Sequence, residues 1–184
     1  ANLAEMASMR LPIPPGFVIS AQAYKTFIEQ TKIQKTIFKY LAKLDIEYTE
    51  KLQETAEKIQ DLIINTKIPI AIEEDIIASY KNMSIDIEVY KTANHEALKF
   101  IKAGRDIPSV AVRSSATAED DPKTSFAGQN ATFLNVKGAE NVVKAVQECW
   151  ASLFTARSIY YRVKNNIPHE KVLIAVVIQK MINS

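Results

Sequence analysis

The chain has 184 residues, of which 47% are hydrophobic and 24% charged, with a net charge of +2 and a single cysteine. That length suffices for one domain with a sizeable core, and 23 basic against 21 acidic residues give no support to a nucleic-acid tract. Cys149 alone excludes an internal disulfide and points to a reducing, cytoplasmic setting, while no apolar run approaches the ~20 residues that span a bilayer.

Residues 1–10 read as a short helix that opens without a cap, and they carry no apolar core of a signal peptide. Pro12, Pro14, Pro15 and Gly16 end it. Phe17, Val18 and Ile19 predict a strand, and Ser20 caps a helix reaching about Glu29, with Ala23, Tyr24, Phe27 and Ile28 on its apolar stripe. The middle, about 21–107, reads as helical scaffold. Thr49 is expected to cap a helix bearing Leu52, Ala56, Ile59, Leu62 and Ile63. Pro69 opens the next, with Ile72, Ile76, Ile77 and Tyr80 as its stripe, and a further helix is expected from about Glu96 to Ala103.

The texture changes at Pro108. Residues 109–113 alternate like a strand, and a polar loop is expected from Ser114 to about Lys123. Residues 132–136 predict a second strand, broken by Gly138. An amphipathic helix follows, with Val142, Val143, Val146, Trp150 and Leu153 as its stripe, then another from about Thr155 to Asn165. Residues 172–179 are almost unbroken apolar sequence, long enough for a buried strand. Both ends read as cut from something longer.

The least core-like stretch is 113–135. It places Arg113 at a strand end, then hydroxyls, carboxylates, and a small turn at Ala127, Gly128 and Gln129. A guanidinium there offers a planar fork of donors to phosphate oxygens, and a loop glycine lets backbone N–H groups approach an anion. Against this stands the commoner role of an arginine beside Glu119, Asp120 and Asp121, that of a salt-bridge partner. Neither GxxxxGK[ST] nor GxGxxG is present, so no P-loop or Rossmann fingerprint applies. His95 and His169 lack metal-like spacing and read as surface or satisfied histidines. Cys149 reads as a core thiol, the acidic trio as a solvated loop, and Arg157 and Arg162 as surface or ion-paired residues that also have the option of facing a ligand.

Residues 110–136, VAVRSSATAEDDPKTSFAGQNATFLNV, resemble the N-terminal nucleotide-binding domain of phosphoenolpyruvate synthases. The resemblance extends to ECWASLFTARSIYYR (148–162), VVIQKMINS (176–184), ANLAEM (1–6) and LPIPPGFVIS (11–20). It implies an α+β, ATP-grasp lobe, with helices packed on a small mixed or antiparallel sheet, occupying 1–184 as a partial domain and supplying the edge strand that leads to a second lobe. By that resemblance Arg113 contacts the ATP phosphates, Gly128 and Thr132 belong to the loop over them, and Gln179, Lys180, Met181 and Ile182 form the strand end whose backbone pairs with adenine. It further implies ATP with Mg2+ as cofactors, with the metal ligands, a lysine-bearing GGKG stretch, a phosphohistidine domain and the pyruvate site all outside this chain. The fragment alone is then expected to be inactive. Asp121 and the pair Asn130 and Ala131 depart from the family's usual residues. Rifampicin phosphotransferases and pyruvate, phosphate dikinases share parts of the pattern, and a free-standing, non-catalytic nucleotide- or partner-binding module is the alternative of another class.

Overall fold

The computed structural model describes residues 14–83, 108–116 and 131–182. The expected helices at 1–10 and 96–103, together with Gly128, His95 and the acidic trio 119–121, lie outside these residues.

Among the described residues the chain is α+β. The strands are β1 (Gly16–Ile19), β2 (Val110–Ala116), β3 (Thr132–Val136) and β4 (Ile174–Lys180). The helices are α1 (Ala21–Gln30), α2 (Ile33–Leu41), α3 (Thr49–Asn65), α4 (Ile70–Asn82), α5 (Ala139–Ala151) and α6 (Ala156–Lys164), with short 3-10 turns after α5 and before β4. The strands form one sheet in the order β1-β4-β2-β3, with every pairing antiparallel.

Local chemistry accounts for most boundaries. The Ser20 hydroxyl accepts the Ala23 amide at 3.4 Å, and the Thr155 hydroxyl accepts the Ser158 amide at 3.1 Å, so both helices start at side-chain caps. Pro69 precedes α4, where a missing N–H costs nothing. Gly138, at φ 96°, turns the chain from β3 into α5 through a conformation that side chains avoid. Thr49 is not a cap: it is the first residue of α3, and Tyr48 stands before it without a side-chain capping bond. The far end of α3 is closed from a distance, because the Gln147 amide donates to the Ile63 and Thr66 carbonyls at 3.2 and 2.8 Å.

The helices cover one face of the sheet. Val110, Val112, Val176 and Ile178 are buried there against Val142, Val146 and Trp150. Trp150 stacks on Phe27 with centroids 4.8 Å apart and tilts against Tyr24 at 6.0 Å. Cys149 is buried in the same layer, which pushes its thiol up to about 12. The Tyr80 hydroxyl, also buried, donates to the Pro108 carbonyl at 2.7 Å and accepts the Gly138 amide at 2.9 Å. One phenol thus ties the lead-in of β2 to the exit of β3.

Three expectations change. The apolar run at 172–179 is buried on one face only: Ile174, Val176 and Ile178 are inside while Ala175, Val177 and Gln179 are half-exposed. Nor is β4 an edge strand among the described strands, since it lies between β1 and β2. The polar loop does not begin at Ser114, because β2 continues to Ala116. Ser114 stays in the ladder because its hydroxyl is satisfied there, accepting the Ala131 amide at 2.7 Å and donating to the Ala131 carbonyl at 3.3 Å.

Candidate functional site

Alternation along β2 sends Val112 and Ser114 to the helix-covered face and Arg113 to the other. Arg113 is therefore in mid-strand rather than at a strand end. Its cross-strand neighbours are Thr132 on β3 and Val177 on β4, and Val177 in turn faces Val18 on β1. One row thus crosses the sheet: Val18, Val177, Arg113, Thr132. Val18 is 61% exposed, and Leu134, two residues along β3 from Thr132, is 55% exposed. Exposed apolar side chains on both sides of a guanidinium make this face a candidate binding surface.

No carboxylate of the described residues pairs with Arg113. Glu119, Asp120 and Asp121, the partners of the salt-bridge reading, lie outside the described residues; toward the described ones the guanidinium fork is open to an anion. Its backbone is fixed by neighbours on both sides, above all by Ser114, whose amide also donates to the Ala131 carbonyl at 2.9 Å. Ser114 is a positioning residue that sequence reasoning placed in a loop; the signal was the period of two continuing through it.

The second part of the candidate site is the end of β4. Gln179 faces Ala111 and Gly16 in the register, on the open face that carries Arg113. It lies two residues, or roughly 7 Å, from the Arg113 row. The Lys180 amide donates to the Pro15 carbonyl at 2.8 Å and the Met181 amide to the Ser109 carbonyl at 2.9 Å. The Asn135 amide points at the Met181 sulfur at 3.1 Å. Asn135 is the extra residue where β3 spends three positions against two of β2, and it takes φ 58°. Ile182 is 70% exposed. The structure therefore brings Arg113 and Thr132 into direct register in mid-sheet, with Gln179 two residues along the same face and Lys180, Met181 and Ile182 continuing away from the row. Gly128 lies outside the described residues.

A hollow of about 630 Å3 runs along β3 against α5, lined by Thr132, Leu134, Asn141 and Lys144 among others. It meets the row only at its β3 edge and is polar-walled and shallow. Arg113 does not line it, so the open sheet face remains the better candidate.

The other candidates resolve differently. Arg157 is exposed, whereas Arg162 is wholly buried. It is not a surface residue, and no carboxylate among the described residues pairs with it. Its Nη2 donates to the Leu153 carbonyl, and its guanidinium lies 5.1 Å from the Phe154 ring centroid. Nε and Nη1 have no partner among the described residues. Burial lowers its pKa to about 10 and pushes the Tyr24 phenol above its ordinary range. His169 is half-buried, and its Nδ1 has no partner among the described residues. Burial, then the Arg162 charge, hold it down at about 4. Among the described residues no group of three His, Cys, Asp or Glu side chains is placed to hold a metal ion. No helix among them is long and apolar enough to cross a membrane.

The family model for the pyruvate phosphate dikinase AMP/ATP-binding domain matches residues 1–184. A probable phosphoenolpyruvate synthase of Staphylothermus marinus is 46% identical over 184 residues, covering 100% of this chain and 20% of that protein. A probable phosphoenolpyruvate synthase of Methanothermobacter thermautotrophicus is 44% identical over 184 residues, covering 100% and 25%. The phosphoenolpyruvate synthase of Pyrococcus furiosus is 38% identical over 216 residues, covering 100% and 24%. The chain thus spans a quarter or less of the length of these relatives.

Proposed function

Since the chain belongs to the pyruvate phosphate dikinase AMP/ATP-binding domain family, we propose that it is the N-terminal, ATP-grasp-type part of a cytoplasmic phosphoenolpyruvate synthase and that residues 1–184 form one partial domain. The observation that carries this reading is the row Val18, Val177, Arg113 and Thr132 on an open sheet face, beside the exposed end of β4. Arg113 holds the phosphates and stabilises the charge that develops as the terminal bond breaks. Thr132, directly opposite, offers a hydroxyl to the same oxygens, and Gly128 lets the following loop approach them. The end of β4, residues 179–182, carries the adenine ring between apolar walls supplied by Met181 and Ile182.

The whole enzyme on this reading converts pyruvate, ATP and water to phosphoenolpyruvate, AMP and phosphate. By the resemblance, phosphoryl passes through a histidine on a further domain. Magnesium neutralises phosphate charge in such a reaction; the family resemblance assigns its ligands outside this chain, and no step is derived through it. The names of the relatives favour pyruvate over an antibiotic acceptor.

Incubating the full-length protein with ATP and pyruvate is expected to yield AMP and phosphate in step with phosphoenolpyruvate. ADP as the nucleotide product, or turnover indifferent to pyruvate, would sink the proposal. The 184-residue chain alone is expected to bind nucleotide weakly and release no phosphate.

A further inference from the structure

Arg113 and Thr132 face each other without exchanging a main-chain bond. Along an antiparallel strand, successive residues bond to alternate sides. The Met181 amide donates to the Ser109 carbonyl, and the same parity pairs Gln179 with Ala111 and Val177 with Arg113. The backbone of Arg113 is thereby spent on β4. That of Ser114 turns to β3, where its amide donates to the Ala131 carbonyl at 2.9 Å. What holds Thr132 opposite Arg113 is therefore the pair on either side. Towards Val110 this is Val112 with Phe133, followed at once by the bulge at Asn135. Towards Ala116 it is Ser114 with Ala131, just past the last register pair of β2 and β3, which is Arg113 with Thr132.

The Ser114–Ala131 pair departs from the regular pattern in the atom it uses. In a regular pair the Ala131 amide would donate to the Ser114 carbonyl. Here it donates to the Ser114 hydroxyl at 2.7 Å, and that hydroxyl donates on to the Ala131 carbonyl at 3.3 Å. A hydroxyl can accept and donate at once. We propose that the Ser114 hydroxyl, by standing in for its own carbonyl, couples Arg113 to Thr132, setting the two side chains at the spacing with which they act on one phosphate. The inference rests on the nucleotide reading above and adds to it a buried group that touches no substrate. Without the hydroxyl, the Ala131 amide either turns to the Ser114 carbonyl or stays unpaired. Either change moves Thr132, the next residue, relative to Arg113. Ser114 is thus a positioning residue whose effect on the reaction passes through Arg113. Once Arg113 is removed, loss of the hydroxyl should no longer matter to the chemical step, whereas a residue serving the fold alone would cost the same in both backgrounds.

The test is a double-mutant cycle in the full-length enzyme, reading kcat and KM for ATP in wild type, Ser114→Ala, Arg113→Ala and the double variant. Ser114→Ala is expected to lower kcat by roughly 10-fold, the scale of one hydrogen bond, while KM for ATP moves by less than about 3-fold. Added to Arg113→Ala, the same change is expected to lower kcat by less than about 2-fold. The thermal midpoint should fall equally in both backgrounds. Equal losses of kcat in the two backgrounds, or no loss in Ser114→Ala, overturn the positioning role and leave the ATP site standing. Should Ser114→Ala fail to fold, Ser114→Cys, of similar size but a weak acceptor, carries the same comparison with the same expected and overturning results. Normal turnover in Arg113→Ala alone overturns the reading of the phosphate row itself, and with it this inference.

Discussion

The two faces of the sheet are built from the same four strands and end in opposite environments. On one face Val110, Val112, Val176 and Ile178 are sealed beneath α5 and its neighbours, with Trp150 at the centre of the layer. On the other, Val18 and Leu134 stay exposed on either side of Arg113 and Thr132. Adjacent residues of one strand thus serve stability and binding separately. A substitution at Val112 and one at Arg113 should differ in kind, although the two are bonded to each other.

That separation can be broken most forcefully from the helix-covered side. Trp150→Ala removes the ring that stacks on Phe27 and should cost about 3–5 kcal/mol of stability in denaturant unfolding. A loss below about 1 kcal/mol would mean that this layer is not the main core. From the open side, Arg113→Ala in the full-length enzyme should lower ATP-dependent turnover by at least ~100-fold. Its effect on stability should stay within about 0.5 kcal/mol, as for other exposed positions. Near-normal turnover would remove Arg113 from the site.

A pH experiment sharpens the same contrast. His169 has a folded pKa of about 4, below its ordinary 6.5. The unfolded chain therefore binds its proton first as pH falls. The stability it contributes is complete above about pH 6.5 and is lost on descent towards pH 4. With solvent screening allowed for, that loss should be about 1–2 kcal/mol. His169→Gln should flatten this part of the stability profile, and an unchanged profile would mean that the histidine titrates normally. The smallest effect is expected at Thr132→Ala, a few-fold rise in KM for ATP at unchanged stability, on the order of one exposed hydroxyl bond. A loss as large as that of Arg113→Ala would give Thr132 a larger part in the reaction than a single phosphate contact.

Much of the helical frame was legible in the sequence because a stripe of period 3.6 and a helix-start residue such as Pro69 or Gly138 are local signals. The helix Ile33–Leu41 was not separated from the general helical character of the middle. The strands were found, but their burial was not, since an all-apolar stretch such as residues 172–178 looks the same whether one face or both are covered. Ser114 was misplaced because a buried serine reads as loop until its partner, Ala131, is brought beside it. Arg162 was misread for a related reason: burying a guanidinium without a carboxylate is costly, so sequence alone favours the surface. As for the site, Arg113 was named from its place before the polar loop and Thr132 from the resemblance, and their direct register came only from strand pairing.

The central claim, that the open sheet face holds the nucleotide, is tested most directly by titrating this chain with ATP and magnesium and following its backbone amides by NMR. Shifts clustered at Arg113, Thr132 and residues 179–182 are predicted. Shifts confined to Asn141 and Lys144 along the β3–α5 hollow, or to the buried surroundings of Arg162 and His169, would contradict it.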